Sequence, residues 1–151
     1  MRVTDLIKGP AITVLPATSL TKAAKLMDDA GVGALLVVDG GVLTGIVTDR
    51  DIVVRGVAEG FGGEARIDSV MTTQPVTIDV NADIAEASQA LAERKFRRLP
   101  VVNAGSVVGI VTADDLLLAI VTQLSDVVWP IFGEVLDPQH TVPLPVRIES
   151  S

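Results

Sequence analysis

Apolar and polar positions along this chain fall into two rhythms, and the same succession of rhythms occurs twice. A short extended stretch at 12–15 gives way to a segment where Leu20, Ala23, Ala24 and Met27 recur at helical spacing, which predicts a helix over 19–30. Ser19 stands where an N-cap belongs, and Gly31 where a helix can end in left-handed geometry. Two β-branched runs follow, 35–38 and 42–47, and the turn Asp39-Gly40-Gly41 between them predicts a hairpin. A second helix starts after Thr48. The later succession has an extended piece at 76–79, a helix over 83–94 capped by Asp83, runs at 99–102 and 107–111 around Asn103-Ala104-Gly105, and a helix after Thr112. The order is β-α-β-β-α both times. Its middle runs are apolar throughout, as expected of buried strands.

The two successions are one unit written twice. Shifted by 64 residues, positions 3–57 align with 67–121 without a gap, and 12 of the 55 pairs are identical. These include Leu35/Leu99, Val37/Val101, Gly45/Gly109, Thr48/Thr112 and Asp51/Asp115. A repeat this long, present only twice, suits two halves that each bury the other's apolar face rather than a solenoid. The fold expected is α/β of the α+β kind. Its organisation is a first repeat at 1–58, a linker at 59–66 with three Gly, a second repeat at 67–124, and a partly irregular C-terminal arm at 125–151. The arm carries the apolar patch Val127-Val128-Trp129-Pro130-Ile131-Phe132 and then Pro138, Pro143 and Pro145.

Composition narrows the functional classes. The aliphatic and aromatic share is 48% with only 3% aromatic, so self-association is a natural way to cover the surface. A formal charge of −7 lacks the basic footprint of a nucleic-acid or anionic-membrane binder. The absence of Cys removes disulfides and thiolate chemistry. Met1-Arg2-Val3-Thr4-Asp5 leads into no signal-peptide core, and the longest unbroken apolar run, 116–121, is six residues. A cytoplasmic protein is therefore expected. His140 is the only His and has no second ligand at metal spacing. Gly31-Val32-Gly33 lacks the third Gly of a dinucleotide loop and reads as a helix stop. With no nucleophile and base, metal cluster or Walker pattern, no enzyme is expected and no cofactor is required.

The pieces Gly45-Ile46-Val47-Thr48-Asp49-Arg50-Asp51-Ile52 and Gly109-Ile110-Val111-Thr112-Ala113-Asp114-Asp115-Leu116 resemble the signature of a tandem cystathionine-β-synthase (CBS) domain pair. So do Ala34-Leu35-Leu36-Val37-Val38-Asp39 and Arg98-Leu99-Pro100-Val101-Val102-Asn103 upstream, although Leu36 stands where the pattern has the proline seen at Pro100. The resemblance implies a pseudo-twofold disc with two clefts that bind adenosine compounds such as AMP, ADP, ATP or S-adenosylmethionine. It also implies that two discs pair as a homodimer.

Carried over by position, the resemblance builds cleft A from Thr48, Asp51, Val76, Arg97 and Arg98, and cleft B from Thr112, Asp115, Ile12, Gly33 and Ala34. Read from the residues alone, Thr followed three places later by Asp is a capping box. The same pair could hold a phosphate near helix-N-terminal amides and accept the hydroxyls of a ribose. Arg97 and Arg98 can grip a phosphate or offset a helix C-terminus. On that charge, cleft A is expected to favour a phosphorylated nucleotide over cleft B, whose Gly33-Ala34 rim has no fixed charge. The functional expectation is a regulatory sensor of an adenosine-containing ligand that signals to an unknown protein partner through a change in packing. The alternative is a ligand-free interaction module, with the disc and the arm (Trp129 and Phe132 as anchors) forming a docking surface. The apolar helix after Asp115 is expected to be buried on several sides.

Overall fold

The computed structural model describes residues 1–94 and 96–136, with side chains to 132. Residues 1–116 form one compact unit, and the described residues from 117 onward belong to a second. In the first unit β1 (Thr13–Val14), α1 (Leu20–Ala30), β2 (Ala34–Asp39), β3 (Val42–Thr48) and α2 (Asp49–Asp51) follow in the expected order. α2 widens into a π-helical stretch, Ile52–Val57. The second copy supplies β4 (Thr72–Thr73), β5 (Ile78–Asp79), α3 (Ile84–Arg94), β6 (Arg98–Asn103), β7 (Ser106–Thr112) and α4 (Ala113–Leu136).

Local chemistry accounts for the boundaries. The Ser19 hydroxyl accepts the Lys22 amide at 3.1 Å and Asp83 accepts the Ala85 amide at 2.8 Å, each satisfying an orphan donor of a helix start. Gly31 closes α1 with φ 64. Gly40 (φ 56) and Gly41 (φ 81) form the first hairpin turn, and Ala104 (φ 48) and Gly105 (φ 83) form its counterpart. The linker is tied to the body, because the amides of Leu20 and Thr21 donate to the carbonyls of Ala65 and Gly63 at 2.9 and 3.0 Å.

Two sheets result, one ordered β1-β2-β3-β4 and the other β5-β6-β7. Each copy joins its first strand in parallel to a hairpin, and the register slips at Val37/Val38 in one and Val101/Val102 in the other. Leu36 and Pro100 occupy the same buried strand position. Leu36 donates its amide to the Ile12 carbonyl at 3.0 Å, a bond Pro100 has no N–H to make.

The lead segments are exchanged between copies. Val3–Leu6, ahead of the first copy, bonds to the second through the Val3 amide to Ala82 and the Thr4 amide to Val80, at 2.9 and 3.0 Å. Ile67–Ser69, ahead of the second, bonds to the first through the Ile67 amide to Thr18 and the Asp68 amide to Pro16, at 2.8 and 3.2 Å. Ile67 and Val70 thereby join the core made by Val14, Leu20, Ala23, Met27, Leu35, Val37 and Val47. β4 crosses in the same sense to pair with β3, Gly45 facing Thr73. Gly45 is required there, since a Cβ would lie 2.9 Å from the Thr72 carbonyl oxygen.

The sequence predicts a partly irregular arm after Ser125; among the described residues α4 continues into it, to Leu136, through Pro130. Once the helix is nucleated at Thr112, each added residue gains a hydrogen bond, and the proline removes only one of them. The remainder of the arm, with His140, lies outside the described residues. Leu116 and Ala119 are buried, whereas Leu117, Leu118, Ile120, Val121, Leu124, Trp129 and Phe132 are exposed. Within one chain this helix is therefore covered on one side only, and the burial on several sides expected from a disc-to-disc contact calls for a second copy. The stretch Ala113–Phe132, with mean hydropathy 1.5, is long and apolar enough to cross a membrane by length and composition. Unbroken apolar runs do not mark it, because Thr122, Gln123, Ser125 and Asp126 interrupt the runs without breaking the helix.

Candidate functional site

Each hairpin ends in a threonine that hands the chain to a helix. Thr48 and Asp51 form a reciprocal box: the Asp51 amide donates to Thr48 Oγ1 at 3.1 Å, and the Thr48 amide donates to Asp51 Oδ2 at 2.9 Å. Thr48 Oγ1 also donates to Asp51 Oδ2, at 3.0 Å. Thr112 and Asp115 repeat it at 3.1, 3.0 and 2.6 Å. The capping geometry read from the sequence is therefore present twice. In both boxes the capping bonds use Oδ2, so Oδ1 is left to other partners.

Each box borders a cavity completed by the other copy. One, of about 160 Å³, is lined by Thr48, Asp51, Val76, Arg97 and Arg98, the five residues assigned to cleft A, together with Thr72, Pro75 and Phe96. The other, of about 660 Å³, is lined by Thr112, Asp115, Ile12, Gly33 and Ala34, the five assigned to cleft B, with Lys8, Pro10 and Arg98 among their neighbours. All ten candidate residues thus fall into the two expected groups.

Beside the uncharged Gly33-Ala34 rim, cleft B is also lined by Lys8 and Arg98, two cations the sequence reading does not assign to it. Arg98 borders both cavities, and its Nη2 would lie 2.9 Å from a Cβ at Gly33, so this glycine leaves room for the guanidinium. Lys8 Nζ sits 2.6 Å from Asp115 Oδ1, with 75% of the lysine side chain exposed against 14% of the aspartate. Burial alone would raise the Asp115 carboxyl. Hydrogen bonds from Lys8 and Thr112, with the charge of Lys8, outweigh it and hold the group below its ordinary value. Asp114 is engaged by Arg97 at 3.3 Å across exposed surface. Asp51 Oδ1 lies 3.9 Å from Arg55, which donates to the Met71 carbonyl and stands outside the lining of cleft A. Among the described residues no cluster of side chains could hold a metal ion.

Two inter-copy cavities, each bordered by a Thr/Asp box, define a class of tandem-repeat proteins built around paired clefts. The CBS domain family model matches residues 3–56 and 67–122, and the chain belongs to that family. It is 41% identical over 114 residues to the CBS domain-containing protein YhcV of Bacillus subtilis, covering 76% of this chain and 81% of that one. Among solved structures it resembles CBSX2 in complex with AMP, with TM-score 0.68 and 29% identity over 80% of this chain and 96% of that one. It also resembles the CBS domain pair of protein MJ0100 in complex with 5′-methylthioadenosine and S-adenosyl-L-methionine, with TM-score 0.74 and 27% identity, covering 82% and 98%.

Proposed function

We propose that this protein is a non-catalytic regulatory module that binds an adenosine-containing ligand in the clefts between its repeats. AMP, ADP, ATP and S-adenosylmethionine are the candidate ligands. The observation that carries the reading is the repeated box: in both clefts an aspartate is capped through one carboxylate oxygen and borders a cavity whose far wall comes from the other copy. A carboxylate so placed can accept the hydroxyls of a ribose, and arginines at the rim can meet a phosphate. The ligands carried by the CBSX2 and MJ0100 structures support the adenosine class.

Signalling in this reading arises from differential affinity for two packing states of the repeats. The protein acts as a cytoplasmic homodimer that relays the change to a protein partner. A net charge of −7 supports a role away from nucleic acid and anionic membrane, and the exposed apolar side chains of α4 support pairing of two copies. Isothermal titration with these ligands, before and after the double substitution Asp51→Ala and Asp115→Ala, tests the binding sites. Loss of binding is expected, and unchanged curves would show that the clefts are misassigned.

The exposed apolar surface of α4 also favours a second reading, a ligand-free interaction module. A chain that shows no thermal shift with any nucleotide, yet loses self-association when residues 124–151 are deleted, would select it.

A further inference from the structure

The two clefts are unequal, and the cause lies in one pair of matched positions. In the second copy the chain Thr72–Thr73 zips onto β3, and Gln74 then donates its amide to the Thr44 carbonyl at 3.1 Å from a left-handed backbone, φ 46. The residue 64 places earlier is Pro10. Proline has no N–H to donate, and its ring holds φ near about −65°, so this turn is closed to it. The second sheet accordingly stops at three strands. Lys8, the counterpart of Thr72, is left off the sheet edge, and its ammonium reaches over the cavity to Asp115. The cleft sealed by β4 measures about 160 Å³ and the unsealed one about 660 Å³. Pockets that take a small organic ligand span roughly 300–1,000 Å³.

Both oxygens of Asp115 have partners within the chain, Oδ2 in the Thr112 box and Oδ1 at Lys8. A ligand presenting a ribose diol must compete with Lys8 for Oδ1. The ammonium it displaces is mostly exposed and anchored at no second carboxylate in the cavity, because Asp114 is engaged by Arg97. A ligand that brings its own anion offers Lys8 a new partner, with Arg98 on the same wall. A neutral nucleoside offers none.

We propose that cleft B is the principal ligand site and that Lys8 determines its specificity, guarding Asp115 when the cleft is empty and moving to the phosphate when a nucleoside 5′-phosphate binds. This rests on the adenosine reading above and reverses the preference for cleft A drawn from Arg97 and Arg98 alone.

Titration of AMP and adenosine into the full-length Asp51→Ala protein isolates cleft B. Adding Lys8→Met to that background is expected to weaken AMP by about tenfold, the scale of one charge-assisted hydrogen bond. Adenosine is expected to bind as well as before or better, and Lys8→Arg to restore the preference for AMP. Adding Asp115→Ala instead is expected to weaken both ligands. Equal effects of Lys8→Met on AMP and adenosine would overturn the role of Lys8. Loss of AMP binding in Asp51→Ala alone would overturn the choice of cleft while leaving the adenosine reading intact. Binding of neither ligand to the unsubstituted protein would overturn both readings together.

Discussion

Ala104 occupies left-handed backbone, φ 48, at the place the first copy gives to Gly40. An L side chain costs about 1–2 kcal/mol in this conformation, partly offset by the greater unfolded-state freedom of glycine. Ala104→Gly is therefore expected to raise stability by roughly 0.5–1 kcal/mol, read as a higher melting temperature in a calorimetric scan. A fall would mean the turn has some other constraint. Asp115 carries a second prediction. Its carboxyl is depressed in the folded protein, so its contribution to stability is present above the ordinary carboxylate value of about 3.9 and lost as pH falls through the lower folded value. The melting-temperature advantage of the unsubstituted protein over Lys8→Met should hold at neutral pH and close in acid. An advantage that persists at pH 2 would exclude this ion pair as its source. The Thr/Asp boxes were legible beforehand because they are local, three residues apart, and written twice. The Lys8 contact was not, since it spans 107 residues and a single lysine in irregular chain carries no periodic mark. Its one trace in the sequence is Pro10 aligned against Gln74.

At the scale of elements, the hairpins and first helices follow from periodicity, N-caps and turn residues, and only their ends move by a residue or two. Two elements did not follow. The π-helical widening at Ile52–Val57 has no counterpart in side-chain spacing alone. α4 outruns its expected end because its apolar spacing becomes irregular after Ser125, while the single N–H missing at Pro130 does not stop a helix already more than four turns long. The missing fourth strand of the second sheet is the most consequential difference, and it is open to a direct test. Pro10→Asn supplies an N–H and tolerates left-handed backbone. The new amide at position 10 is expected to gain protection from hydrogen exchange as residues 8–10 pair with β7, and the cleft to narrow. An unprotected amide there would remove proline as the cause of the asymmetry.

For the whole molecule, the exposed apolar residues of α4 lie on successive turns from Leu117 to Phe132, and Trp129 is 79% exposed. Exposed apolar side chains in this number support the proposed pairing of two copies. Replacing Leu117, Leu124 and Trp129 with Glu is expected to convert a dimer to monomer in sedimentation equilibrium without altering the titration of either cleft. A protein already monomeric before substitution would remove the homodimer from the proposal.

The exchange of lead segments bears on how the two copies fold. Ile67 and Val70 fill the core of the first copy, and Val3 and Leu6 are buried after crossing to the second. A chain severed at Gly60 would give two fragments, each carrying a plug for the other and a hole of its own. Neither would be autonomous, yet mixed they hold every piece of a complete molecule.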